Sequence, residues 1–499
     1  MNRFKKISAA ITAAAVLAVA APVTGILPDV MSVTASAEVY TYDENGLYIK
    51  DGVLVSVSWD VTSVVIPDSV TEISNSAFLH CTSLTRIDVD GNNNNYSSAD
   101  GVLFNKDKTL LIRCPEGKKG AYTIPDSVIE IGVMAFYECR LLTSVTIPNG
   151  VTAIGENAFY ECISLTSITI PNGVTAIADQ AFGGCTSLIS VNIPNSVTVI
   201  CMNAFIRCTS LTSVTIPNSV TGIGHSAFAR CTSLTSVTIP DSVTGIDHYA
   251  FSGCTSLTNV IIPDSVIHVE WDAFRSCTSL KEIKVDSKNN NYTSVDGVLF
   301  SKDKATLICY PLGKGGISYV IPNSVTTIGG SAFYECTSLT SVTIPDSVTN
   351  IYYSAFFRFE SLKTINYTGS KEEWNKIVIE IENDPLKNAT INYNYTGSSA
   401  PTLEPTPTPT PEPTPEPTPE PTPITPNLKK VIYTSTTDIL GDVDGDGKTS
   451  AKDATAILKY TVGLAEFEGN SLNNALVTGN ETPSARDATQ ILKMVVGLA

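Results

Sequence analysis

The sequence predicts a β-rich α/β solenoid, with short parallel strands and one helical turn per repeat, followed by a small all-α module. Three observations carry this. Leu142, Leu165, Leu188, Leu211, Leu234, Leu257 and Leu280 recur at a fixed step of 23 residues, as do Phe136 to Phe274 and Cys139 to Cys277. Within each unit, apolar and polar residues alternate before a Pro, as in Leu211-Thr-Ser-Val-Thr-Ile-Pro217. Far downstream, Asp442-Val-Asp-Gly-Asp-Gly-Lys-Thr-Ser-Ala-Lys-Asp453 crowds oxygen-bearing residues into one loop. A 23-residue unit cannot close a core of its own, so it must stack on its neighbours.

Residues 1–37 read as a secretory signal peptide. Arg3, Lys5 and Lys6 precede an apolar run, and Ala35-Ser36-Ala37 offers a small-residue cleavage site. The apolar run is short for a membrane span. The chain is therefore expected to be secreted, without membrane insertion. Its net charge of −17 and the absence of a basic stripe argue against nucleic acid as a partner.

Residues 38–397 form the repeat region, with Ala-Phe recurring from Phe78 to Phe356. Val and Ile alternating with Thr predict a half-buried strand, which Pro ends because it cannot donate to a ladder. Asp-Ser or Asn-Gly turns the chain, and Val-Thr-x-Ile makes a second short extended piece. Ser-Ala-Phe-x-x-Cys reads as one helical turn with Phe and Cys inward. Two near-identical inserts, near 90–122 and 286–319, carry Asp-Gly-Val-Leu-Phe and a Lys-Asp-Lys turn. Each is expected to be a β-hairpin projecting from the stack. Residues 362–397 lose the period and predict a cap, as 38–66 does at the other end.

Nine of the twelve Cys occupy one repeat position, always after Ala-Phe. A residue used once per rung acts as a small buried hydrophobe, and stacked side chains point the same way, which is wrong for a disulfide. These thiols are expected to be free.

Such units resemble the leucine-rich repeats of bacterial surface antigens, which read Leu-Thr-Ser-Val-x-Ile-Pro-x-Ser-Val-Thr-x-Ile-Gly-x-x-Ala-Phe-x-x-Cys. The Asp-Gly-Val-Leu-Phe hairpins and the Tyr367-Thr-Gly…Glu-Glu-Trp374 cap also resemble that family. The resemblance implies an extracellular, non-enzymatic binding or adhesion protein, and names no ligand.

Compared with itself, the chain is monotonous on its strands and varied beside Ala-Phe. His225, His248 and Trp271 share one column, Tyr249 flanks it, and Arg207 and Arg230 share another. Aromatic faces with Arg suit recognition of a polysaccharide or protein. The competing explanation is drift at exposed positions. Two imidazoles in register are too few for a metal, and the sequence shows no third ligand.

Residues 398–427, rich in Pro and Thr, predict an extended polyproline linker. Its Pro-alternating stretch, residues 401–426, would span about 80 Å at ~3.1 Å per residue. In the segment 428–499, Asp442, Asp444, Asp446, Ser450 and Asp453 supply side-chain oxygens, Lys448 its backbone carbonyl, and Gly447 the sharp turn. Clustered carboxylates with that spacing fit Ca²⁺, the expected cofactor. Asp453-Ala-Thr-Ala-Ile-Leu-Lys recurs 34 residues later as Asp487-Ala-Thr-Gln-Ile-Leu-Lys. The pair resembles a dockerin, the duplicated loop–helix module that plugs secreted proteins of cellulolytic bacteria into cohesin domains of a cellulosome scaffold. The resemblance implies cohesin as partner, contacted through Ala451, Lys452, Leu458 and Lys459 and through Ala485, Arg486, Leu492 and Lys493. The second loop keeps only Asn480, Ser484 and Asp487 as side-chain ligands.

The combined expectation is a non-catalytic component, secreted and held at a cellulosome or the cell surface, in a setting of plant polysaccharide breakdown. A carbohydrate-active enzyme is the alternative, because dockerins often carry one. No hydrolase motif or facing carboxylate pair is visible, however. A bare structural spacer is the third reading. Calorimetry on the full chain should show one tight Ca²⁺ site and one weak or silent one. Two equal, tight sites would contradict the reading of the second loop.

Overall fold

The structure is a computed structural model that describes residues 40–397, 431–435 and 465–469. The signal peptide, the linker, both calcium loops and the residues expected to meet cohesin lie outside the described residues. The chain divides into a unit spanning Met1–Leu403 and another spanning Glu404–Ala499.

The first unit is a parallel-strand β-solenoid. Strands Ser213–Thr215 and Ser236–Thr238 pair in parallel, Ser213 opposite Ser236 and Val214 opposite Val237. Partners are therefore one repeat apart. Val214 and Ile216 are buried while Ser213 and Thr215 face out, as the alternation predicts. The second extended piece forms its own ladder. Ala176–Ile177, Val199–Ile200, Gly222–Ile223, Gly245–Ile246 and His268–Val269 pair in sequence order.

The expected helical turn is absent. Ser226 and Arg230, four residues apart around Ala-Phe, both have positive φ (54° and 60°), which no α-helix tolerates. The reason lies in the backbone hydrogen bonds. Ala227 and Ala229 N–H close tight turns onto Gly224 and Ser226 carbonyls. Ser226 and Phe228 N–H instead donate to the next rung, at His248 O and Ala250 O (2.8 Å each). Donors committed between rungs are not available for an i−4 ladder. Among the described residues, helix is confined to Lys371–Trp374 and Pro385–Asn388.

The core is a set of columns. Phe159, Phe182, Phe205, Phe228 and Phe251 stack with ring planes within 8° and centroids 5.3–5.5 Å apart. The Cys column lies beside them, fully buried. Cys208 Sγ donates to Phe182 O (3.2 Å), and Cys231 Sγ to Phe205 O (3.2 Å). Each thiol thus serves a carbonyl of the rung below, which a purely apolar side chain cannot do. All twelve Cys are free, and burial pushes the Cys185 and Cys231 thiols up to about 12. The repeated hydroxyls bond in the same way. Ser219 Oγ donates to Val197 O (2.5 Å) and Ser242 Oγ to Val220 O (2.6 Å).

The inserts do not project. Tyr96–Ala99, Val102–Asn105 and Leu110–Arg113 form an antiparallel meander, and its last strand joins Glu130–Ile131 in parallel as a rung of the ladder. Val102, Leu103 and Phe104 are fully buried. Val298–Ser301 and Thr306–Cys309 repeat the arrangement in the second insert. In each insert one buried Asn acts as a bracket. Asn93 Nδ2 donates to Pro67 O (2.8 Å) and Val70 O (3.0 Å), and Asn289 does the same to Pro263 O and Val266 O. Where the first insert buries the ion pair Arg113–Glu116 (2.8 Å), the second has Cys309 and Leu312. The meander therefore does not depend on that pair, in keeping with the modest net worth of buried ion pairs.

Residues 362–397 lose the sequence period but not the ladders. Thr390–Asn392 pairs with Thr364–Tyr367, and Val378–Ile379 with Asn350–Ile351. Trp374 is buried edge-on against Tyr367, on a helical turn closed by a capping box at Ser370 and Glu373. At the start, Leu47–Lys50 and Val53–Val57 form a hairpin whose second strand begins a ladder with Glu72–Ile73. In the second unit, Val431–Ser435 pairs in parallel with Ala465–Gly469. The expectation of an all-α tail fails for these ten residues.

Unfolding the chain in denaturant without reductant should expose twelve titratable thiols. Substantially fewer would mean disulfides and would overturn the thiol-to-carbonyl columns.

Candidate functional site

The turn corners around Ala-Phe present the varied side chains at regular intervals. They separate into three groups.

The first is a basic groove of about 450 Å³, lined by Arg207, Arg230, Tyr249, Arg275, Tyr334 and Arg358 among others. Arg207 and Arg230 sit at the positive-φ corner position and project outward, exposed. Among the described residues neither makes an ion pair. Arg275 lies over the Tyr334 ring at 3.5 Å, hydrogen bonds to the Tyr334 hydroxyl, and is 5.7 Å from the Tyr249 ring. Glu335 is the groove's one acid. It accepts from Ser276 Oγ (2.7 Å) and pairs with Arg358 (3.0 Å). Four guanidiniums face one carboxylate in a chain that is acidic overall. Local field, rather than net charge, sets what such a groove attracts. Tyr334 and Arg358 come from beyond the second insert, and Arg275 stands one position before the column of Arg207 and Arg230, so the sequence columns missed all three.

The second is a histidine cluster. The His225 and His248 rings are 6.2 Å apart, and Tyr249 meets His225 edge-on at 5.5 Å. His248 Nδ1 is 2.9 Å from Asp272 Oδ1, and Asp272 is only 1% exposed. His248 Nε2 is 3.4 Å from Glu270 Oε2, and Glu270 Oε1 is 2.7 Å from His268 Nε2. Asp247 Oδ1 accepts from the His248 N–H at 2.7 Å. Burial lowers the His248 pKa, but the bond and charge of Asp272, with Glu270 and Asp247, outweigh it and raise the group above its ordinary value.

The third corrects the sequence reading of Trp271. Its indole does not continue the His225–His248 column. It packs on Tyr352 (4.7 Å between centroids) and Tyr353 (6.5 Å), reaching past the second insert and the repeat of Gly330 to the repeat after that. Gly330 makes room for it, since a Cβ there would stand 2.6 Å from the Trp271 ring. Trp271 is a staple between repeats, not a face for ligand. The expected patch is therefore two sites, the arginine groove that includes Arg207, Arg230 and Tyr249, and the cluster on His248.

The region 47–400 matches the family described as the BspA type leucine-rich repeat region, in six copies over 47–111, 118–231, 198–311 and 316–400. No curated protein matches the chain. Among solved structures, a leucine rich cell surface protein from Faecalibacterium prausnitzii A2-165 is 31% identical over 57% of this chain and 97% of its own, with a TM-score of 0.47. A leucine-rich repeat protein from Bacteroides ovatus ATCC 8483 is also 31% identical, over 55% of this chain and 69% of its own, with a TM-score of 0.43. One from Eubacterium ventriosum ATCC 27560, 31% identical, is covered over 62% of its length and covers 44% of this chain, with a TM-score of 0.41. Among the described residues no helix is long and apolar enough to cross a membrane.

Two outcomes follow. Gly330→Ala should lower stability by roughly 1–3 kcal/mol through the Trp271 clash. Gly222→Ala, where nothing lies within 4 Å of the added carbon, should be neutral or mildly stabilising. Equal melting temperatures for the two variants would contradict the staple. By NMR, His248 should titrate above about 6.5, and Asp272→Asn should bring its midpoint to that value or below. Because the folded value is raised, the stabilisation is complete below the unfolded pKa and fades as pH rises through the folded one.

Proposed function

The chain belongs to the BspA-type leucine-rich repeat family, and on that premise we propose that it is a non-catalytic binding protein of the cell surface, whose ligand is an acidic polysaccharide or an acidic protein face. The observation that carries this is the groove of Arg207, Arg230, Arg275 and Arg358 with Tyr249 and Tyr334 at its wall. Guanidiniums bind carboxylates in a bidentate way, and the half-buried Tyr249 ring adds flat contact area at small entropic cost, while buried Tyr334 seats Arg275. The relative from Faecalibacterium prausnitzii, described as a cell surface protein, supports the location.

We further propose that the segment 428–499 is a dockerin. Its first loop would hold one Ca²⁺ through Asp442, Asp444, Asp446, Lys448, Ser450 and Asp453, an all-oxygen donor set that suits a hard cation. Bound Ca²⁺ would offset the repulsion among those carboxylates. Ala451, Lys452, Leu458 and Lys459, or their second-half counterparts, would then meet a cohesin of a cellulosome scaffold. The Pro-Thr segment would act as the tether between the two modules. The support is the loop spacing and the 34-residue duplication.

The test is binding of the full chain to a panel of neutral and acidic cell-wall polysaccharides and to secreted surface proteins. Binding should favour acidic ligands, weaken with salt, and fall at least tenfold in an Arg207→Ala, Arg230→Ala double variant. An unchanged affinity in that variant would remove the groove. Turnover of any glycan would favour the enzyme reading, and no binding at all would favour a spacer.

A further inference from the structure

We propose that His248, Glu270 and Asp247 form a surface site for a divalent transition-metal ion of the Zn²⁺ type, independent of the calcium loop. One ligand atom from each of the three residues can be chosen so that all lie within 4.8 Å of one another. Ligand atoms ~2.0 Å from a tetrahedral zinc stand roughly 3.3 Å apart. The 3.4 Å between His248 Nε2 and Glu270 Oε2 is that separation.

Acidic side chains on a surface often gather without an ion, so the outer contacts decide the matter. His248 does not stand alone. Its Nδ1 is held at 2.9 Å by Asp272, whose side chain is only 2% exposed. A carboxylate there fixes the tautomer with hydrogen on Nδ1 and the lone pair on Nε2, which points at Glu270. This carboxylate–imidazole arrangement is the one that orients metal-binding histidines and raises their basicity. Glu270 is steadied as well, since its other oxygen bonds His268 Nε2 at 2.7 Å. Asp247 is held to the cluster by the His248 N–H at 2.7 Å.

The electrostatics agree. Asp247, Glu270 and Asp272 surround one imidazole, with His225, His268 and the Tyr249 hydroxyl as the other titratable groups nearby. A dication supplies the charge these three carboxylates lack, and does so better than a single proton on His248. One nitrogen and two carboxylate oxygens suit a borderline ion better than a hard one. Three protein ligands leave a fourth position for water or for a ligand oxygen. Tyr249, whose ring centroid is 6.2 Å from that of His248, lines the arginine groove, so the site adjoins the groove wall.

The experiment is titration of the metal-stripped full chain with Co²⁺ at pH 7.5, read by visible absorption, followed by displacement with Zn²⁺. The expected result is one equivalent giving the intense d–d bands of a four-coordinate ion, without thiolate charge-transfer bands, and lost on adding Zn²⁺. His248→Ala and Glu270→Gln, each checked for unchanged circular dichroism, should abolish the bands. Asp442→Asn should keep them, which separates this site from the calcium loop. Asp272→Asn should weaken Zn²⁺ roughly 10–100-fold without removing it, as loss of an outer partner does. Absence of the bands in the parent chain, or their persistence in either the His248 or the Glu270 variant, would overturn the site.

Discussion

The register of one rung on the next governs this structure. Most of the stabilising contacts described above cross between units one repeat apart. The strand ladders do so, as do the Phe stack, the thiol-to-carbonyl bonds and the serine bonds to valine carbonyls. No unit satisfies its own backbone. Phe228 N–H finds its acceptor only in the rung that follows. Leaving such a buried donor unpaired costs about 1–3 kcal/mol, so each rung depends on both neighbours. That dependence explains the sameness of the repeats. A side chain that serves the rung below must be the same kind in every rung.

Function then has little room except where sameness is relaxed. The strand faces carry Thr and Ser, several of which bond to carbonyls of the preceding rung. Thr221 Oγ1, for instance, donates to Thr198 O at 3.3 Å. Although Asp179 and Asp272 accept from the Met202 and Tyr249 backbone N–H groups, most corner side chains carry no such duty and point outward. The corners hold Arg207 and Arg230 in one column and His225 and His248 in another. The second insert shortens the distance between remote positions. It brings Tyr334, Glu335 and Arg358 up to Arg275 and Ser276, which no counting of repeats would place together.

How far the sequence could be read follows from this division. The strands, their faces and the free cysteines were legible, because alternation and a fixed step have one physical meaning each. The corner was misread for a definite reason. Phe228 and Cys231 are three apart, a spacing that suits a helix as well as two successive turns. Only the left-handed Ser226 and Arg230 distinguish them, and neither is Gly. The inserts were misread because Lys-Asp-Lys marks a hairpin but says nothing of burial. Val-Leu-Phe, three apolar residues in a row, was the available sign that both faces are covered. The third ligand beside His248 was missed because it comes from the following repeat, two positions beyond His268. Trp271 looked like a surface aromatic until Gly330 gave it a seat.

The one-step register is tested most directly by removing a rung. Deleting residues 211–233 takes out one whole unit and joins Ser210 to Leu234, leaving every column in phase. Deleting residues 211–232 leaves one residue over and puts Phe205 out of step with Phe251. Thermal unfolding followed by circular dichroism should show the first chain melting close to the parent, and the second markedly less stable or partly unfolded. Two deletions that melt alike would contradict the dependence of each rung on the alignment of its neighbours.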